Sequence, residues 1–314
     1  MKRFFISVLK ALGYFGIYLG AQLSVTVVYM IYTIIPVAVK YSVGNYDLTD
    51  PVIFERYMEE ALQPVLDATM PLTILSGLLT LGVICLIFKC RKKKIAKEVR
   101  LCRISGGTAL SVGMMGFGIN FVLGILFNFL PKEWLESYEA TASAAFSGEL
   151  WLVAITVAVM APIVEEFLFR GLIYTRLKQG MPMVAAVAVS SLWFGAMHGQ
   201  PLWIAYASLL GLVMVWIFER TGSLLASMAF HFGYNLVAVI SMALPEDTPE
   251  WIGIVLSVAG LAFAAVGTYW FLKIPKAEIS AETAGETAVY EPEETGDVSE
   301  KVTQESGEDS TENP

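Results

Sequence analysis

The chain has 314 residues, of which 56% are hydrophobic and only 16% are charged, with a formal net charge of -8. Soluble globular domains carry about 25% charged residues, and roughly 20 consecutive apolar residues span the hydrocarbon core of a bilayer. The composition and its long apolar runs therefore exclude a water-soluble globular protein and favour a membrane protein. We expect the lipid bilayer as its surroundings and no nucleic-acid partner.

Apolar segments follow one another along most of the chain. They cover 12–39, 70–88, 107–130, 150–173, 182–199, 201–218, 223–244 and 251–272. Each is long enough to be read as a helix that crosses the bilayer. The sequence therefore predicts an all-α, polytopic membrane protein with about eight transmembrane helices.

The basic residues between these segments predict the orientation. Lys2 and Arg3 precede the first segment, and eight Lys and Arg residues lie between 89 and 103. Further basic residues follow the fourth, sixth and eighth segments, whereas the loops 41–69 and 131–149 are net acidic. Since Lys and Arg concentrate in cytoplasmic loops, both termini are predicted to be cytoplasmic in a multi-pass plasma-membrane protein.

The last part of the chain has a different composition. Residues 274–314 hold twelve acidic residues against two lysines, and they are rich in Ser, Thr and Gly. Such a segment cannot bury enough apolar surface to offset the entropy of ordering, so it is predicted to be a disordered acidic tail.

The fourth apolar segment contains three ionisable residues, Glu165, Glu166 and Arg170. Ionisable groups inside a membrane span are costly and usually mark function. Glu166 and Arg170 are four residues apart and can pair on one helix face, where they would hold this helix in place. Glu165 is rotated by about 100° from that face and is left free. The alternative is a buried ion-pair network that only locks helices together.

The two histidines of the chain, His198 and His231, both fall in apolar segments, and Asn235 follows His231 by one helical turn. Glu165 and His198 are separated by one predicted turn, which places them at similar depth on antiparallel helices. This arrangement requires a helix break near residues 199–201, where irregular backbone is tolerated only against protein or a water-filled cavity. We therefore predict that these polar side chains converge with Glu165.

Three short motifs carry a resemblance to a known family. They are Glu165-Glu166-xxx-Arg170, Phe194-xxx-His198 and His231-xxx-Asn235. In this order they resemble the signature motifs of the CPBP family (CAAX-processing and bacteriocin-processing proteins, also called Abi), which includes the type II CAAX prenyl endopeptidase. The resemblance implies an eight-helix intramembrane protease whose active site opens to the cytosol. The resemblance covers about 165–235. We divide the whole chain into N-terminal transmembrane helices with a basic cytoplasmic loop (1–106), a transmembrane protease core (107–273) and the acidic tail (274–314).

The same residues predict amide hydrolysis by activated water. The sequence holds no HExxH zinc motif, and no Ser or Cys has the context of a nucleophile. Glu165 is predicted as the general base and His198 as the residue that orients the water. His231 and Asn235 are predicted to stabilise the oxyanion.

The same residues are also compatible with other functions. Glu165, His198 and His231 would also form a plausible ligand set for a divalent metal such as zinc, so the sequence does not decide between a metal-dependent and a metal-free protease. The predicted partner is a membrane-associated peptide or protein, prenylated or bacteriocin-like. Outside proteolysis, ionisable groups within spans would suit a proton-coupled transporter, and a non-catalytic immunity or scaffold protein is a third class.

Overall fold

The computed structural model describes residues 1–145, 148–245 and 247–274, and within these ranges the chain is helical, with no strand. The helices are α1 (Lys2–Val43), α2 (Pro51–Asp67), α3 (Thr69–Cys90), α4 (Ile95–Glu98), α5 (Gly106–Phe127), α6 (Lys132–Ala145), α7 (Leu150–Gly180), α8 (Met183–Ala196), α9 (Pro201–Thr221), α10 (Leu224–Ala243) and α11 (Glu250–Lys273). The all-α, polytopic prediction is confirmed. The predicted acidic tail, apart from Ile274, lies outside the described residues.

Seven of the eight predicted spans are helices long and apolar enough to cross a membrane. The exception is the predicted span 182–199, where α8 has only 14 residues. At a rise of 1.5 Å per residue it is about 21 Å long, which is shorter than a hydrocarbon core of about 30 Å. Within the described residues, seven helices are therefore long enough to cross the bilayer, against the about eight predicted from the sequence.

Helix α7, which carries the two adjacent glutamates, is not a regular α-helix. Two π-helical stretches, Ala154–Met160 and Phe167–Tyr174, flank a short α-helical piece, Ala161–Glu166. π-Helical turns, which hold more residues than α-helical turns, are rare and occur mostly at functional sites. The predicted span 150–173 lies within this helix, and its π-helical stretches are a feature that the sequence did not predict.

The predicted break after α8 is present. Gly199 has a φ of +74°, which L side chains rarely adopt, and the Gln200 side chain accepts a hydrogen bond from the Trp203 backbone N–H at the start of α9. Gly222 follows the last residue of α9 and caps it in a left-handed conformation. Ser223 then caps the start of α10. These local signals fold α8 and α9 into a hairpin with His198 at its closed end.

Small residues let the helices approach closely around α7. A Cβ atom added to Gly116 of α5 would lie 2.0 Å from the Phe230 carbonyl oxygen of α10, and one added to Gly195 of α8 would lie 2.0 Å from Ser208 Oγ of α9. Without a hydrophobic driving force between helices in lipid, such close backbone packing is a main source of association. It packs α5 against α10 and α8 against α9.

Ion pairs gather the ends of several helices at one end of the bundle, which we call the basic end. Glu219 at the end of α9 binds both Lys178 of α7 and Arg100 before α5, and Glu98 of α4 binds Arg176 of α7. The guanidinium of Arg220 donates to the Leu272 carbonyl near the end of α11. Although α8 is short, the α8–α9 hairpin thus leaves from and returns to the same end of the bundle.

This geometry generates a topology prediction. Reporter fusions near residue 95 and after the last residue should both read cytoplasmic, whereas a fusion near residue 140 should read external, because Lys and Arg are retained on the cytoplasmic side. Paired phosphatase and fluorescent-protein fusions provide the measurement. An external signal near residue 95 would overturn the orientation.

Candidate active site

The centre of the site is the fully buried carboxylate of Glu166. Arg170 Nη1 donates to Glu166 Oε1 at 2.7 Å, and Ser227 Oγ of α10 donates to Glu166 Oε2. Arg170 Nη2 also donates to the Gly211 carbonyl of α9 at 3.4 Å, and its guanidinium lies 4.3 Å from the centre of the Phe194 ring of α8. The predicted pairing of Glu166 with Arg170 is present, and it ties α7 to three other helices.

His231 connects this buried pair to the second glutamate. Its Nδ1 lies 3.0 Å from Glu166 Oε1, and because an ionised carboxylate only accepts, Nδ1 carries the proton of this hydrogen bond. Its Nε2 lies 3.9 Å from Glu165 Oε2, which is too long for a direct hydrogen bond. The imidazole therefore stands with one nitrogen fixed and the other facing Glu165.

Glu165 differs from Glu166 in its surroundings. Its side chain is 24% exposed, whereas that of Glu166 is inaccessible. No hydrogen bond reaches the Glu165 carboxylate from the part of the chain that the structure describes. Tyr18 of α1 lies within electrostatic range of Glu165, and its hydroxyl accepts a hydrogen bond from Gln22 at 2.7 Å. Hydrogen bonds thus hold the carboxylate of Glu166 in place, whereas the carboxylate of Glu165 is accessible.

His198 lies beside this group without touching the glutamates. Its Nδ1 lies 3.1 Å from the Phe194 carbonyl oxygen, and since a carbonyl only accepts, Nδ1 carries the proton and Nε2 of the neutral ring can accept. The Phe194 ring lies 5.2 Å from the His198 ring and 6.0 Å from the His231 ring. Phe194 therefore separates and orients the two imidazoles.

Asn235 makes a contact that the sequence did not predict. Its Nδ2 donates to the Val157 carbonyl in the first π-helical stretch of α7, at 2.8 Å. In a π-helical stretch each N–H bonds to the carbonyl five residues earlier, as the Ala161 N–H does here to the Thr156 carbonyl. By the same spacing the donor for the Val157 carbonyl would be residue 162, which is a proline and has no N–H. Asn235 thus supplies the hydrogen bond that Pro162 cannot.

The predicted metal set does not assemble in this arrangement. Across residues 1–145, 148–245 and 247–274, no three His, Cys, Asp or Glu side chains are placed to hold one ion. His231 Nδ1 is already bound to Glu166, and no contact joins His198 to Glu165 or to His231 among these residues. The metal set of Glu165, His198 and His231 therefore stays a prediction.

Sequence reasoning missed Ser227, which donates to Glu166, and Tyr18, which lies within electrostatic range of Glu165 and binds Gln22. Ser227 lies one helical turn before His231, and this spacing on one face could have identified it. Tyr18 and Gln22 are also one turn apart, but no motif connects their helix with the distant glutamates. Their approach depends on how α1 packs against α7.

Comparison with known proteins supports the resemblance drawn from the motifs. Residues 147–237 match the family model described as type II CAAX prenyl endopeptidase Rce1-like. The matched segment runs from α7 to α10 and contains all six predicted site residues. Searches of curated proteins and of solved structures gave no match. At family level the segment is similar to membrane-embedded endopeptidases, and the resemblance predicted from the motifs is confirmed there.

The contact between Asn235 and Val157 generates a prediction. Asn235→Ala should lower the free energy of unfolding by about 1–3 kcal/mol, because it leaves a carbonyl without a donor. Pro162→Ala supplies a backbone N–H at that position, so in this background Asn235→Ala should cost at least about 1 kcal/mol less. Thermal melting of the four proteins in detergent gives this difference.

Equal costs of Asn235→Ala in both backgrounds would show that Asn235 does not replace the missing proline hydrogen bond. Asn128→Ala is a suitable control, because Asn128 makes a similar side-chain bond to the Gly124 carbonyl at an exposed helix end. Its cost should not depend on residue 162.

Proposed function

We propose that this chain is an intramembrane endopeptidase that hydrolyses a peptide bond of a membrane-associated substrate with water activated by Glu165. The observation that carries the proposal is the unequal state of the two glutamates. Glu166 is held by Arg170, Ser227 and His231, whereas Glu165 is accessible and has no hydrogen-bond partner among the described residues. A general base must be free to take a proton.

The chemistry follows from the positions of the side chains. Glu165 would remove a proton from a water molecule whose oxygen attacks the substrate carbonyl carbon. His198, with Nδ1 bound to the Phe194 carbonyl, would accept a hydrogen bond from this water at Nε2. The proton on Glu165 would then pass to the leaving amine nitrogen as the C–N bond breaks, which returns the carboxylate to its starting state.

The oxyanion formed by this attack needs donors. His231 has its Nδ1 bound to Glu166, so only its imidazolium form offers a second N–H, at Nε2 beside Glu165. Asn235 uses one N–H for the Val157 carbonyl and has a second one to offer. An oxyanion donor of this kind lowers the activation barrier by about 3–4 kcal/mol.

The substrate class is proposed from the family. Because the model matching residues 147–237 is described as a prenyl endopeptidase, a prenylated C-terminal peptide is the first substrate to test. A bacteriocin-like membrane peptide is the second. Either substrate would approach from the lipid or from the basic end of the bundle, which we assign to the cytoplasm.

The two glutamates should respond differently to the same substitution. Glu165→Gln should lower turnover by at least about 10²–10⁴-fold and leave melting in detergent near that of the wild type, because it removes a base without breaking a buried pair. Glu166→Gln and Arg170→Gln should each destabilise the protein by about 3–5 kcal/mol, because each leaves its partner buried and uncompensated. The measurements are thermal melting and turnover per folded molecule.

Glu219→Gln is the matched control for these variants. It removes a carboxylate from two partly exposed ion pairs at the basic end, where such pairs contribute at most about 1 kcal/mol each, so turnover should stay close to wild type and the loss of stability should stay below about 2 kcal/mol. If Glu165→Gln melts early while Glu166→Gln is stable but inactive, the two roles are reversed. Full turnover in Glu165→Gln, Glu166→Gln and Arg170→Gln would contradict the protease proposal and favour a transporter or a scaffold.

A further inference from the structure

A cavity of about 850 Å³ lies at the basic end, among the first turns of α1, the end of α3, α4 and the last turns of α7. Eight cationic side chains line it: Arg3, Lys10, Arg91, Lys93, Lys97, Arg100, Arg176 and Lys178. Glu98 is the one acidic residue of the lining. Only the part contributed by α7 falls within the segment 147–237 that matches the family.

Half of these cations are neutralised within the protein. Glu98 binds Lys93 and Arg176, and the pKa of its carboxyl is lowered, because burial raises it less than these two partners lower it. Glu219 binds the other paired cations, Arg100 and Lys178. The remaining four are exposed and form no ion pair with the residues that the structure describes: Arg3, Lys10, Arg91 and Lys97.

The cavity also has an apolar wall. Tyr14 of α1 and Phe88 of α3 stack with their ring centres 6.1 Å apart, and Ile6 lies beside them in the lining. On the same helix Phe5 and Leu9 are strongly exposed, as lipid-facing side chains are. The cavity thus combines unpaired cations with apolar lining residues, and α1, which contributes to both, carries further exposed apolar side chains.

We propose that this cavity binds the phosphate-bearing headgroup of an anionic phospholipid, with the four unpaired cations around the phosphate and an acyl chain along the apolar side of α1. Basic pockets between transmembrane helices at the cytoplasmic face are suited to anionic headgroups. Lys and Arg provide charge-assisted hydrogen bonds to phosphate oxygens. The inference rests on the cavity and does not depend on the protease activity.

The chain offers another anion, the acidic segment 275–314, which follows α11 in sequence, and the end of α11 lies at the basic end. The lipid is favoured because it also accounts for the apolar wall beside the cations. In the forty positions of this segment the large apolar side chains are Ile279, Val289, Tyr290, Val298 and Val302. A peptide of that composition has little to place against Ile6, Tyr14 and Phe88.

The test titrates the purified full chain in detergent with phosphatidylglycerol or phosphatidylcholine and follows melting temperature and native mass spectra. The wild type should bind phosphatidylglycerol at least about tenfold more tightly than phosphatidylcholine. Each lysine near an anionic lipid contributes about fivefold, so the double variant Lys10→Gln/Lys97→Gln should weaken phosphatidylglycerol binding by about tenfold or more. The matched control Lys92→Gln/Lys94→Gln removes two exposed lysines outside the lining and should change affinity by less than about threefold.

Four outcomes would overturn the proposal. They are no preference for phosphatidylglycerol, an equal loss in both double variants, the same stabilisation by inorganic phosphate alone, and stronger stabilisation by a synthetic peptide of residues 291–312 that is lost in Lys10→Gln/Lys97→Gln. The third would assign the cavity to free phosphate, and the fourth would assign it to the acidic segment.

Discussion

The buried ion pair between Glu166 and Arg170 is the constraint on which the rest of the site depends. Two charges placed out of contact with water are tolerated only when geometry and further hydrogen bonds satisfy them. Here the other contacts come from Ser227, the Gly211 carbonyl and His231, which lie on two different helices. The need to satisfy one pair therefore fixes how α9 and α10 sit against α7, and with them the direction of the His231 ring.

Irregular backbone supplies the remaining geometry. Two π-helical stretches in α7 surround the glutamates, and Pro162 leaves a carbonyl that Asn235 of α10 satisfies. The short α8 ends at a break where Gly199 takes a positive φ, which places His198 at the closed end of the hairpin. In a membrane such departures persist only where protein or an aqueous cavity meets the freed polar groups. They coincide here with the residues proposed to do chemistry.

Much of the fold and part of the site could be predicted from the sequence. Long apolar runs identify helices because the bilayer requires them, and the four-residue spacing of Glu166 and Arg170 predicts their contact because both lie on one helix. The helix break near residue 199 could be predicted because Gly199 and Pro201 are residues that interrupt helices. The π-helical stretches, the length of α8 and the approach of Tyr18 to Glu165 could not be predicted, because they depend on packing between helices distant in sequence. The Asn235 bond to Val157 was missed because it needs the register of the π-helix.

The most direct test of the central claim is a double-mutant cycle on the buried pair, measured as unfolding free energy in detergent for Glu166→Gln, Arg170→Gln and the combined variant. If the pair is the constraint described, the combined variant should be at least as stable as either single variant, with a coupling of at least about 3 kcal/mol, because removing both charges leaves none uncompensated. Additive losses, with the combined variant the least stable of the three, would contradict the account.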